Sequence, residues 1–162
     1  MKILQYLFIS LSHKILKILP YRLIRLLSVP IGTLYFLLTF RSSIKLFKRR
    51  KIFEKLKINY KPLIVKINYT RYWLETLWLT NKNFSKHITP HVEIENQEYV
   101  DKLKKQYPGL IFALPHLGNW EFAIPIGNSI KLNLLAVAEP LSNSYVLNWF
   151  KTLRESLGIE II

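Results

Sequence analysis

The sequence predicts an α/β chain: N-terminal membrane-associated helices followed by a partial, parallel-rich sheet flanked by helices. Three observations predict it. Of the 162 residues, 1–90 hold 18 Lys/Arg against only Glu54 and Glu75, whereas 91–162 hold 6 Lys/Arg against 8 Asp/Glu, so net charges of +16 and −2 are fused in one chain. Apolar runs are of helical length before Pro90 and of strand length after it. Beyond Pro90, strand-like and helix-like stretches alternate at a spacing that requires right-handed crossovers, which makes the sheet parallel. Residues 1–90 are therefore expected to form a basic, hydrophobic helical region, and 91–162 the first half of an α/β domain.

Composition narrows the class further. At 50% hydrophobic and 21% charged residues the chain can bury a core, and with no cysteine it has neither a disulfide framework nor a thiolate zinc site. A +16 segment suits nucleic acid or an anionic membrane. Residues 1–40 are mostly Leu, Ile, Phe and Tyr, an aliphatic surface that nucleic-acid modules do not expose, and no zinc-finger or RRM signature is present. No nucleic-acid partner is expected. Aliphatic helices followed by Lys45, Lys48, Arg49, Arg50, Lys51, Lys55 and Lys57 suit an anionic membrane surface, where each cation adds about 1 kcal/mol. The longest charge-free run of the basic half, 26–40, is interrupted by Pro30 and Gly32 and falls short of the ~20 residues a spanning helix needs. Helices lying in the interface are expected; a hydrophobic hairpin buried against the acidic half is the other reading. Lys2 before an apolar run resembles a signal peptide, but no small-residue cleavage site follows.

In order, residues 3–19 read as a helix stopped by Pro20, and a second helix, expected to be kinked by Pro30, runs from Pro20 to Leu38. Residues 41–59 read as a basic helix. Pro62 opens another, with Val65, Tyr69, Trp73 and Leu77, and neighbours Tyr72 and Trp78, as its apolar face. Residues 82–90 read as a polar linker. Residues 92–94 are expected as a short strand, Asn96 as the cap of a helix to Tyr107, and 110–114 as a strand buried on both faces. A turn and helix to Asn128 follow, with Pro125 shortening or kinking the helix. Residues 134–138 form a second buried strand. Ser142 or Asn143 caps a helix whose inner face is Val146, Trp149, Phe150, Leu153 and Leu157, with Gly158 as its stop. Residues 159–162 begin a further strand. A buried strand ending in Ile161 and Ile162 with no closing helix reads as a fragment of a longer protein.

The run Leu114-Pro115-His116-Leu117-Gly118-Asn119-Trp120-Glu121 carries the chemistry. His116 would lie just past a strand end, where open α/β sheets hold their ligands. Asn119 is a ready N-cap, so the free N–H groups of the next turn point back towards His116. On a continuous helix His116 and Glu121 would stand ~140° apart, so a bend at Gly118 is needed to bring the carboxylate to the imidazole. Glu121 would then fix the tautomer while His116 takes a hydroxyl proton, with N–H groups around Gly118 and Asn119 holding an oxyanion. A histidine packed for structural reasons fits the same spacing. Glu139 also follows a buried strand at the ligand-bearing edge, or is a solvated loop acid before Pro140. Arg154 is a solvated cation or a clamp for a phosphate or for the pantetheine end of a donor. His87 and His91 are four apart with Pro90 between them, which makes a metal site improbable, and no metal is expected.

The string P-H-L-G-N-W-E resembles the H-x-x-x-x-[D/E] box of the bacterial lipid A biosynthesis acyltransferase family, and LPHLGNWEFA is most similar to its phosphatidylinositol mannoside acyltransferase branch. The likeness continues through Ala136-Val137-Ala138-Glu139 and the helix bearing Phe150, Arg154 and Gly158; upstream it rests on Arg49-Arg50-Lys51, Asn59, and Tyr72 with Glu75. The resemblance implies a glycerolipid acyltransferase-like fold on the cytoplasmic face of the inner membrane. It implies transfer of a fatty acyl group from a thioester donor, acyl-CoA or acyl-carrier protein, to a hydroxyl of a glycolipid acceptor, with no cofactor. His116 is then the base and Glu121 its partner, with Gly118, Asn119, Glu139 and Arg154 on the substrate. Family members run to nearly twice this length, so a catalytically inactive truncated membrane-surface protein is the alternative.

Overall fold

A computed structural model describes residues 2–40, 55, 57, 61–115, 117–137 and 140–162. The expected basic helix at 41–59 lies almost wholly outside the described residues, as do His116 and Glu139.

Apolar sequence at helical spacing forms α1 (Lys2–Leu16) and α2 (Tyr21–Leu38), with Pro20 between them at the N-cap position of α2. Pro62 starts α3 (Pro62–Trp78) at its first turn, where a missing N–H leaves no bond unmade. Three residues in a row on one face of α2, Ile24, Ser28 and Gly32, are buried. A Cβ on Gly32 would sit 2.6 Å from the Ile67 Cα, so the α2–α3 contact is close enough to need a glycine. Gly32 thus serves helix packing within a continuous α2.

The main core gathers Leu16, Ile24, Leu74, Leu77, Trp78, Leu79, Phe84 and Ile88, with Val92, Phe122, Trp149 and Leu157 packed on it from beyond Pro90. The face of α3 differs from expectation. Val65 and Tyr69 are exposed, while every residue from Leu74 to Trp78 is buried because α1, α2 and the later segments close around the last turn. The fully buried Trp78 must find a partner for its indole N–H and donates to the Leu19 carbonyl at 2.8 Å. Asn81 donates to the Lys17 carbonyl just past the end of α1, so two side chains pin the turn that joins α1 to α2.

His13 ties α1 to the end of α3. A carbonyl only accepts, so Nδ1–H donates to Leu77 O at 2.9 Å and leaves Nε2 to accept from the Thr80 hydroxyl at 3.3 Å. Burial, followed by the nearby Lys17 charge, outweighs the hydrogen bond to Leu77 and holds the imidazole pKa below its ordinary 6.5. The neutral ring's contribution to stability is complete above 6.5 and is lost as pH falls through the lowered folded-state value. Thermal melts from pH 7.5 to 5 are expected to drop more steeply for the wild type than for His13→Gln; parallel curves would refute this.

Residues 82–90, expected as a linker, instead carry α4 (Phe84–His87) and a 3₁₀ turn (Thr89–His91), and bury Phe84 and Ile88 in the core. Residues 92–94 are irregular. α5 (Gln97–Gln106) follows Asn96, which sits at the cap position with φ +58° and makes no side-chain capping bond. The expected strand at 110–114 does not form: the segment is irregular, with Ile111 fully exposed and Phe112 and Leu114 exposed. A strand is buried on both faces only inside a sheet that helices cover above and below. Among the described residues the sheet has two strands, β1 (Leu134–Ala136) and β2 (Ile159–Ile161), and 110–114 pairs with neither. β1 and β2 are parallel, with Leu134 opposite Ile159 and Ala136 opposite Ile161, and they pack with Ile124 into a second small core.

Between 114 and β1 lie a 3₁₀ turn (Trp120–Phe122) and α6 (Ala123–Ser129); Pro125 falls in the first turn of α6. α7 (Ser144–Glu155) joins β1 to β2. Of the two candidate caps, Asn143 is used: its Oδ1 accepts from the Tyr145 and Val146 amides, and its Nδ2 donates to Lys2 O at 3.0 Å and Gln5 Oε1 at 2.8 Å. Gly158 ends the helix region with φ +88°, as its position predicts.

Candidate active site

The bend expected before Glu121 is present, since Gly118 has φ +60° in an exposed loop. Asn119 then caps the 3₁₀ turn, its Oδ1 accepting the Glu121 N–H at 3.3 Å. This geometry turns the Glu121 side chain inward.

Glu121 is fully buried. A buried carboxylate needs compensating donors, and Arg154 on α7 supplies two: Nη2 to Oε1 at 2.6 Å and Nε to Oε2 at 3.2 Å. The Tyr72 hydroxyl makes a longer contact of 3.5 Å with Oε1. Burial, then the Glu121 charge, pushes the Tyr72 phenol up to about 12, so it stays protonated at physiological pH. The guanidinium carbon of Arg154 stands 5.3 Å from the Trp120 ring and 5.2 Å from the Phe150 ring, and Tyr72 stacks on Trp120 at 6.3 Å. Aromatic faces thus flank the cation and hold its planar fork on the acid.

A second buried acid lies one step away. Glu75 on α3 is 6% exposed; its Oε1 accepts from the Tyr21 hydroxyl at 2.9 Å and its Oε2 from Asn119 Nδ2 at 3.1 Å. One polar network therefore runs from α2 through α3 to the 118–121 loop and on to α7.

Of the residues expected at the site, Gly118, Asn119, Glu121 and Arg154 come together here. Arg154 is engaged with Glu121 and is neither solvated nor free. His116 and Glu139 lie outside the described residues. The sequence named Tyr72 and Glu75 as part of the family resemblance but did not place them at the site, although a signal for Glu75 existed: it is one of only two acids in a 90-residue cationic half, set among apolar neighbours. Among the described residues no three His, Asp or Glu side chains are grouped to hold a metal.

By class, the chain falls among the acyltransferases. The model of the family described as bacterial lipid A biosynthesis acyltransferase matches residues 1–162, and the chain belongs to that family. The match is to the family as a whole. No curated protein and no solved structure matches the chain.

Proposed function

We propose that this chain is a membrane-surface O-acyltransferase that moves a fatty acyl group from acyl-CoA or acyl-carrier protein to a hydroxyl of a glycolipid, either a phosphatidylinositol mannoside or a lipid A-like acceptor. The observation that carries the reading is the buried Glu121–Arg154 pair, whose acid stands five residues after the motif histidine in the sequence. In the reaction the acceptor oxygen attacks the thioester carbonyl carbon while His116 takes the hydroxyl proton. The carbon–sulfur bond then breaks, and the leaving thiolate takes the proton from His116. Glu121 retains acceptor capacity beside Arg154, because a carboxylate offers about four lone-pair sites, and this capacity orients the imidazole and stabilises its cation. Backbone N–H groups at Gly118 and Asn119 serve the oxyanion, and Glu139 is assigned to substrate binding by the family resemblance.

An inverted helix pattern supports the membrane surface as the place of reaction. α2 buries small or medium residues (Ile24, Ser28, Gly32) and exposes Leu23, Leu26, Leu34, Leu37 and Leu38. α1 likewise exposes Leu4, Leu7, Phe8 and Leu11. Helices of water-soluble folds do the reverse, whereas helices in contact with lipid put small residues between helices. By length and hydropathy α2 qualifies as a candidate span of 18 residues. It is bound along α3, which carries Lys66, Asn68 and Arg71, so the pair suits the interface of the cytoplasmic leaflet better than the hydrocarbon centre. Exposed Lys2, Lys14, Lys17, Arg22 and Arg25 complete a surface for anionic headgroups.

The test uses the full chain with anionic vesicles, labelled acyl-CoA and a glycolipid acceptor. Label is expected in the acceptor. Replacing Leu4, Leu7 and Leu11 together with serine is expected to weaken vesicle binding by roughly 10³-fold without unfolding, because each exposed leucine contributes ~1.5 kcal/mol on entering lipid and none belongs to the core. Vesicle binding without transfer would make the chain a non-catalytic membrane-surface protein; unchanged binding by the triple variant would overturn the docking face.

A further inference from the structure

The Glu75 carboxylate is distant in sequence from the catalytic motif, yet it is joined to it by one hydrogen bond. A carboxylate can only accept, so the Asn119 amide must turn its Nδ2 towards Glu75. That orientation leaves Asn119 Oδ1 facing the Glu121 N–H, the bond that caps the 3₁₀ turn. Tyr21 on α2 holds the other carboxylate oxygen, so the amide's orientation is referred to two helices outside the loop. Gly118 and its exposed neighbours give the loop little other anchorage.

Resting on the acyltransfer reading above, we propose that Glu75 is a positioning residue for transfer: it fixes the Asn119 amide, and through that amide the turn that presents Glu121. Glu75 itself does not touch the substrate. It makes the geometry of the loop depend on the α2–α3 pair, the same pair that bears the exposed apolar face.

Donor–acceptor matching provides a test that packing alone would not pass. In Glu75→Gln the new amide can accept from Asn119 through Oε1 and donate through Nε2 to the Tyr21 hydroxyl, which also accepts. In Asn119→Asp two carboxylates face one another at a buried site, and the turn is pushed out of place. In the double variant the amide introduced by Glu75→Gln donates to the carboxylate introduced by Asn119→Asp and accepts from Tyr21, so every bond is again matched.

Four proteins are compared on vesicles with acyl-CoA and a glycolipid acceptor: wild type, Glu75→Gln, Asn119→Asp and the double variant. The expected kcat values are near wild type for Glu75→Gln, at least 10-fold down for Asn119→Asp, and within about threefold of wild type for the double variant, with KM for acyl-CoA unchanged throughout. Hydrogen exchange of the 119–122 amides is expected to follow the same order. A double variant as poor as Asn119→Asp in both readouts overturns the proposal. If the wild type shows no transfer, the functional reading fails, and with it the catalytic half of this proposal. Exchange still decides the coupling in that case: recovery in the double variant supports it, and no recovery overturns it.

Discussion

His116→Ala is expected to lower acyl transfer by about 10²–10⁴-fold while vesicle binding stays at the wild-type level. The loss follows from proton chemistry. A sugar hydroxyl is a weak nucleophile until its proton is taken, and imidazole, with an ordinary pKa near 6.5, is the side chain best matched to take it at neutral pH. Vesicle binding rests on residues of α1 and α2 that the substitution leaves alone. The measurement is initial rate against flotation with vesicles, on the same preparation. Transfer at the wild-type rate would remove the assignment of His116 as base.

The second large effect is expected at the buried ion pair. Glu121→Ala leaves Arg154, with a side chain only 18% exposed, beside aromatic rings and without its carboxylate. Breaking a buried pair from one side typically costs about 3–5 kcal/mol, which for a chain of this size is roughly 10 °C of melting temperature. A joint replacement, Glu121→Leu with Arg154→Met, removes both charges and is expected to recover most of that stability, since apolar pairs of similar volume replace buried ion pairs at little cost. Transfer is expected to stay lost in the joint variant. Recovery of both stability and transfer would show that the pair serves only the fold; failure to recover stability would show that the pair matters for more than charge compensation.

Much of the chain is legible in its residues because those signals are local. Pro20, Pro62, Asn143 and Gly158 mark helix ends through backbone geometry that any neighbour must respect, and each ends or starts an element as expected. Leu134–Ala136, a short apolar run, and Ile159–Ile161, with its alternating Ile-Glu-Ile, are strands that local sequence also marks. Residues 110–114 carry an equally strong local signal and form no strand, since a strand also requires partners that its own sequence does not supply. Residues 82–90 depart from expectation in the opposite sense: their polar average conceals Phe84 and Ile88, two side chains that the core takes up.

The site divides along the same line. The motif residues, their order and the bend at Gly118 follow from the sequence alone, because a tight turn and a cap are properties of consecutive residues. The partners of Glu121 do not. Arg154 lies 33 residues along the chain from Glu121, and Glu75 lies 44 from Asn119. Whether a charged side chain is solvated or locked in a pair depends on which helices meet, and that is settled by burial of apolar faces elsewhere in the molecule. The sequence by itself determined the class of chemistry and the turn and cap that lead into Glu121. Only the tertiary structure decided which acid is buried, which cation neutralises it, and that a helix near the N-terminus helps to hold the loop, because desolvation and hydrogen-bond pairing exist only once distant segments are packed together.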